Sequence, residues 1–189
     1  QPKGNITRAE VATIVYRLAT GDAEGQQAHL WEAAAAKFTD VGDDHWALGA
    51  IGYCANNLLV LGYDDGTFGP NKNVSGIEAL AMSLRAVGYG KNNEFKCWGW
   101  DTNVYGVARG EGLLKSVDNT NYAGRLSQPA TRELVAEVLF QAAQIPTVNY
   151  QYGSYSKYNH LITQDKEHEN PSLGLKNYGL TEVSRIVLG

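Results

Sequence analysis

The chain has 189 residues, 43% of them hydrophobic and 19% charged, a composition that suits one or two folded domains and excludes a disordered chain. Its net charge of −4 argues against broad binding to a phosphate backbone, which needs a basic face, and so against nucleic acid as a partner. No apolar run approaches the roughly 18 residues of a membrane span, and no basic stretch followed by an apolar one marks a leader, an observation that says little about location.

The first predicted helix opens on Thr7 and Glu10, a T-x-x-E capping box in which each side chain accepts from the other residue's backbone N–H. Val11, Ile14, Val15 and Leu18 follow as one apolar stripe, and Gly21 marks the stop. Gln26 to Lys37 reads as an alanine-rich helix with Leu30 and Trp31 as its buried contacts. Phe38 to Asp44 forms a turn into a helix that begins near Trp46 and ends before Gly62, with Cys54 as a small core residue. Tyr63 to Asn73 is a compact loop, dense in Asp, Gly, Asn and Pro for reasons of turn geometry. Ser75 and Glu78 repeat the capping box and open a helix carrying Leu80, Met82, Leu84 and Val87, ended by Gly88.

Trp100 to Leu114 is a further helix weakened by Gly106, Gly110 and Gly112, and Val117 to Ser127 is a connecting loop. Thr131 caps the next helix, where Val135, Val138, Leu139 and Ala142 stand at the same offsets from the cap as Val11, Ile14, Val15 and Leu18 from Thr7. The helices after Thr7, Ser75 and Thr131 are therefore expected to pack as a bundle, with Ile14, Met82 and Val138 meeting inside it. Trp46 and Trp100 read as core residues of their helices. Beyond Pro146 the period changes. Thr147 to Tyr152, His160 to Thr163 and Val183 to Leu188 read as strands, and Pro171 to Tyr178 as a helical turn.

A repeated unit underlies this order. From Phe38 the chain runs F-T-D-V, then Trp46-Ala47, G-Y-D-D-G-T-F-G-P from Gly62 to Pro70, and S-G-I-E from Ser75. A weaker copy runs from Trp100 to Q-P-A-T-R-E at Gln128 to Glu133, and the chain opens on only the end of such a unit, I-T-R-A-E at Ile6 to Glu10. The expected division is residues 1–37 for the end of a first unit and a linking helix, 38–90 for a second, 91–145 for a degenerate third, and 146–189 for a β-containing tail.

Catalytic and metal signatures are weak. Y-D-D-G-T-F-G-P lacks the alternating oxygen ligands of a calcium loop, and the adjacent Asp64 and Asp65 do not flank a sugar bond as a catalytic pair must. His45 beside Asp43 and Asp44 reads as a surface turn; His160, Asp165, Glu167 and His168 form a polar stretch without ligand spacing. Cys54 and Cys97 do not make a disulfide scaffold, and a bridge between them needs a close Cβ approach that sequence does not specify. No enzyme and no cofactor are expected.

Together, F-T-D-V, W-A, G-Y-x-D-G-T-F-x-P and I-T-R-A-E resemble the S-layer homology repeat of bacterial surface proteins over roughly residues 1–145. The resemblance implies a mainly α fold: a pseudo-threefold helical bundle with prong helices and loops, followed here by the small β-containing segment. It implies an extracellular, cell-wall location and non-covalent attachment to cell-wall polysaccharide, often a polymer with a pyruvate ketal on an amino sugar. The family's T-R-A-E arginine meets the ketal carboxylate in grooves between prongs, and a guanidinium fork at a helix N-terminus suits that anion. Carried over by position, the arginines are Arg8 and Arg132, with Gly76 in the second unit where the family has arginine. Arg8 would face Leu61, Gly62, Tyr63 and Gly66, and Trp46 is a further candidate for stacking on sugar. Arg132 would face a loop of the first unit that lies outside this sequence. The alternative is a structural module, in which the repeats self-associate in a surface array and bind little glycan.

Overall fold

The computed structural model describes residues 1–91, 95, 99–115, 117, 126–151, 154–157 and 169–180. In chain order these form α1 (Arg8–Thr20), a 3₁₀ helix (Ala28–Lys37), α2 (Leu48–Asn56), α3 (Gly76–Val87), α4 (Trp100–Gly110), α5 (Arg132–Gln144), β1 (Asn149–Gln151), β2 (Ser154–Ser156) and α6 (Leu173–Tyr178). The fold is mainly α, as the periodicity predicts.

Both capping boxes are present. Thr7 and Ser75 are extended N-caps, and their backbone N–H groups donate to Glu10 and Glu78 at 2.8 Å each. Thr131 caps α5 through Leu134 N–H at 3.2 Å, without an acidic partner to complete the box. Gly21 ends α1 in the left-handed region at φ +78°, which glycine adopts without a Cβ penalty.

The residues just before these three caps hold one another in a closed ring. Val74 N–H donates to Ile6 C=O (3.0 Å), Ile6 N–H to Ala130 C=O (3.3 Å), and Ala130 N–H to Val74 C=O (2.8 Å). One step on, the first N–H of each helix repeats the cycle: Arg8 to Lys72 C=O, Gly76 to Gln128 C=O and Arg132 to Gly4 C=O, at 2.9, 3.2 and 2.9 Å. N–H groups that a helix cannot satisfy internally thus bond to the next segment around a threefold-like centre. The helix N-termini, and any side chains on their first turns, are brought to that centre.

Two apolar clusters flank it. One joins α1, α2, α3 and α5 through Val11, Val15, Ile51, Phe68, Met82 and Leu139; the other joins α3, α4 and α5 through Leu80, Leu84, Val104, Leu113 and Val138. Leu18, Ala86 and Leu134 pack against both. The three capped helices do pack together, and Leu80, Met82, Leu84, Val87, Val135, Val138, Leu139 and Ala142 are all buried. The expected meeting of Ile14, Met82 and Val138 does not occur. Ile14 is 38% exposed on the face of α1 toward α5, while Met82 and Val138 belong to different clusters.

The predicted alanine-rich helix is a 3₁₀ segment lying backbone to backbone on α2. A Cβ on Gly49 would stand 2.0 Å from Ala28 O, and one on Gly52 1.9 Å from Trp31 O, so both contacts require glycine. In that geometry Ala35 is buried, Trp31 is half-buried edge-on to Tyr53, and Leu30 is 67% exposed rather than a core contact. The helix expected to run on toward Gly62 stops at Asn56, because Leu58 takes φ +58° and the N–H groups of Leu59 and Val60 both turn back to Cys54 C=O. Trp46 is also corrected: it is 63% exposed, stacked on the His45 ring. Trp100 is half-buried against the second cluster.

The tail docks on the bundle. β1 and β2 pair antiparallel with Tyr150 opposite Tyr155, and buried Val148 donates its N–H to Val87 C=O at 2.9 Å. Asn177 of α6 donates to Leu18 C=O (2.8 Å) and Ala19 C=O (3.1 Å), satisfying carbonyls at the end of α1. The strands expected at His160–Thr163 and Val183–Leu188 lie outside the described residues, as do Cys97, His160, Asp165, Glu167 and His168. Cys54 is buried, with its thiol directed at Ala12 C=O (3.3 Å) and its pKa pushed up by burial.

Candidate functional site

The loop that the resemblance singles out is held from below by F-T-D-V. Phe38 packs on Phe68 with ring centroids 5.3 Å apart. The Asp40 carboxylate accepts the N–H groups of Phe68 and Gly69, both at 2.7 Å. Above them Tyr63 N–H donates to Thr67 C=O (2.8 Å) and Gly66 N–H to Tyr63 C=O (3.0 Å), with Gly66 at φ +81°. Gly62 admits no side chain, since a Cβ would lie 2.5 Å from the Phe38 ring and 2.8 Å from Thr67 O. Asp65 closes the turn by accepting the Thr67 hydroxyl (2.6 Å) and N–H (2.9 Å), bonds that hold its carboxyl below the usual range. Asp65 serves the turn.

Arg8 reaches from the first turn of α1 into this loop and is only 4% exposed. Its Nε donates to Phe68 C=O (2.8 Å), Nη2 to Leu61 C=O (3.0 Å) and Nη1 to the Glu78 carboxylate (2.6 Å). The guanidinium lies between the rings of Tyr63 and Phe68, 4.7 and 4.9 Å from their centroids. Three of its five donors are committed to protein acceptors, which leaves two. Glu78 does double duty: one oxygen completes the α3 capping box and the other takes Arg8 and, at 3.3 Å, the Tyr63 hydroxyl. Read alone, Arg8 would be a solvated helix-end charge; instead it is the buried link between α1, the loop and α3.

Beside this link opens a cavity of about 610 Å³, with Arg8, Leu61, Gly62 and Tyr63 on one side and Glu78, Met82 and Arg85 of α3 along its floor. Phe95 and Trp100 close the far side, and Asp64 stands at the loop edge. Four of the seven expected site residues are therefore brought together. Gly66 stands at the turn tip, and neither it nor Trp46 lines this cavity. Phe68, Glu78, Arg85, Phe95 and Trp100 escaped sequence reasoning. A signal existed for two of them: Glu78 and Arg85 stand at i and i+7, with Ala81 and Met82 between, on one helix face.

The other two helix starts differ. At Gly76 the place of a side chain is taken by Leu126: a Cβ on this glycine would lie 2.8 Å from Leu126 Cδ2 and 3.1 Å from its Cα. A larger side chain at this position would have to displace Leu126. Arg132 pairs with Glu10, as Arg8 pairs with Glu78, but its side chain is 45% exposed against 5% for Arg8. Burial raises the Glu10 carboxyl pKa, but hydrogen bonds from Thr7 and Arg132 outweigh it and hold the group below its ordinary value. Next to Arg132, between α1 and α5, lies a mainly apolar groove of about 460 Å³ lined by Ile14, Leu18, Leu139 and Phe140 and bounded by Tyr178 and Leu180. Among the described residues, no three His, Cys, Asp or Glu side chains gather as a metal site, and no helix is long and apolar enough to cross a membrane.

Residues 37–80 match the S-layer homology domain family. The chain is 31% identical over 145 residues to a cell surface protein of Thermoanaerobacter kivui, covering 77% of this chain and 17% of that protein. It is 38% identical over 85 residues to a cellulosome-anchoring protein of Acetivibrio thermocellus (45% of this chain, 18% of that protein). To a surface layer protein of Brevibacillus choshinensis it is 34% identical over 84 residues (44% and 7%). The chain thus spans less than a fifth of the length of these relatives. No solved structure matches it. The family and the relatives indicate an extracellular, cell-surface location.

Proposed function

We propose that this chain, whose residues 37–80 are an S-layer homology domain, is a non-catalytic module that anchors a surface protein by binding secondary cell-wall polysaccharide. The observation that carries the reading is the cavity at Arg8: a groove between the loop and α3, with a buried guanidinium in its wall and aromatic rings on both sides. Tyr63 and Trp100 offer faces for sugar rings, Glu78 and the loop backbone offer hydroxyl partners, and the two remaining Arg8 donors suit an acidic substituent such as a pyruvate ketal. The chain divides, in this reading, into the end of one repeat, a complete second, a divergent third and a docked tail. Names among the relatives that speak of anchoring and of surface layers agree with it.

The alternative, a self-assembly module, draws on the apolar groove between α1 and α5, where Ile14 is exposed. A pull-down on purified cell walls, before and after removal of their secondary polysaccharide, separates the two. Anchoring predicts retention that disappears with the polysaccharide and weakens in Tyr63→Ala. Retention on stripped walls, or none on intact ones, would favour assembly.

A further inference from the structure

Resting on that glycan reading, we infer that Glu78 is the specificity-determining residue of the groove: fixed beside Arg8, it admits a saccharide acid with one negative charge and neighbouring hydroxyls, and rejects a doubly charged phosphate. Arg8 and Glu78 reach the cavity as a pair 2.6 Å apart. Of the two, the carboxylate is the more open, its side chain 23% exposed against 5% for Arg8. At Arg132 and Glu10 the order is reversed. A ligand at Arg8 therefore meets a carboxylate as well as a guanidinium, a condition that a lone anion-binding arginine does not impose.

Glu78 is tied in place. One oxygen accepts the Ser75 N–H and hydroxyl, both at 2.8 Å; the other accepts Arg8 Nη1 at 2.6 Å and the Tyr63 hydroxyl at 3.3 Å. Four donors match the roughly four lone-pair sites of a carboxylate. The longest of these bonds, from Tyr63, is the one that a sugar hydroxyl can replace. Nη1 and Nη2 of Arg8 each give one N–H to the protein, so the two donors left stand one on each terminal nitrogen. An acid on them shares Nη1 with Glu78, and two acceptors on one nitrogen lie about 4–5 Å apart at ordinary hydrogen-bond lengths. Like charges at that separation oppose each other, so Glu78 cancels part of the pull of the guanidinium. Desolvation rises with the square of the ligand's charge, whereas the pull rises only in proportion. A single carboxylate gains on balance; the second charge of a phosphate monoester is a net cost.

Calorimetry on the 189-residue chain tests this with three forms of one disaccharide: the pyruvate ketal acid, its methyl ester, and a phosphate monoester in place of the ketal. The wild type is expected to bind the acid about 10-fold more tightly than the phosphate. Glu78→Gln keeps the size of the side chain and an oxygen for the capping box. It is expected to tighten phosphate binding about 10-fold, acid binding less, and ester binding not at all. Glu78→Asp, which keeps the charge, is expected to hold the wild-type ratio of acid to phosphate. Melting curves check that both variants are folded. Phosphate bound as tightly as the acid by the wild type overturns the inference without any variant. So does an unchanged ratio in folded Glu78→Gln, or the same change of ratio in folded Glu78→Asp. Each of these results leaves the glycan reading standing, whereas no binding of any of the three sugars by the wild type overturns both.

Discussion

Arg8 and Arg132 occupy the same position on two helices, each paired with a glutamate of the next helix around the ring, yet one is buried and the other half open. The difference lies in the cover. Arg8 has the 61–68 loop above it, with two carbonyls and two aromatic rings for its guanidinium, whereas Arg132 has Glu10 and an apolar groove. The motif residue is thus constant and its work is set by the neighbouring unit: in one place it knits the fold and lines a cavity, in the other it is a surface ion pair. Gly76 completes the series, with Leu126 where an arginine would go.

The largest effect is expected at Arg8. Arg8→Ala removes a buried guanidinium and strips a half-buried carboxylate and two carbonyls of their donor, a loss of about 3 kcal/mol, the low end for breaking a buried pair. Urea unfolding should show this loss; a loss under about 1 kcal/mol, as for a surface pair, would erase the contrast with Arg132. Asp40→Ala comes next, at roughly 1.5–3 kcal/mol, because the carboxylate ties two loop N–H groups at 2.7 Å. It should also loosen the cover over Arg8, read as faster amide exchange at Phe68 and Gly69.

Gly76→Arg, which the family pattern alone recommends as a repair of the second groove, is expected to destabilise by about 1–3 kcal/mol by overpacking against Leu126. A gain in stability or in glycan binding would show that Leu126 yields. Smallest is Arg132→Ala, at about 0–1 kcal/mol, as for exposed ion pairs. Its clearer signature is at Glu10, whose lowered pKa makes it a source of stability above the unfolded carboxyl pKa that is lost as pH falls through the folded value. Removing Arg132 should raise the Glu10 pKa and shrink that acid-side loss, measurable by NMR titration.

Much of the fold is legible in the sequence because it is local. Capping boxes, stop glycines and the stripe Val135–Val138–Leu139–Ala142 depend on residues within a few turns of one another. What escapes depends on distant backbone. Arg8 takes its acceptors from positions 53, 60 and 70 residues away, so no window around T-R-A-E reveals that it is buried. Leu30 and Trp46 differ from expectation for a similar reason. The 3₁₀ helix meets α2 through the Ala28 and Trp31 carbonyls against Gly49 and Gly52, which leaves larger side chains facing outward. The glycine pair at i and i+3 is the available clue to that contact.

The most direct test of the account is an NMR map of amide shifts as wall saccharide is titrated into the labelled chain. The account predicts that shifts concentrate on Leu61 to Asp64, Glu78 to Arg85 and Trp100, with Ile14, Arg132 and Phe140 unmoved. Shifts centred on the α1–α5 groove instead, or none at saturating sugar, would contradict it.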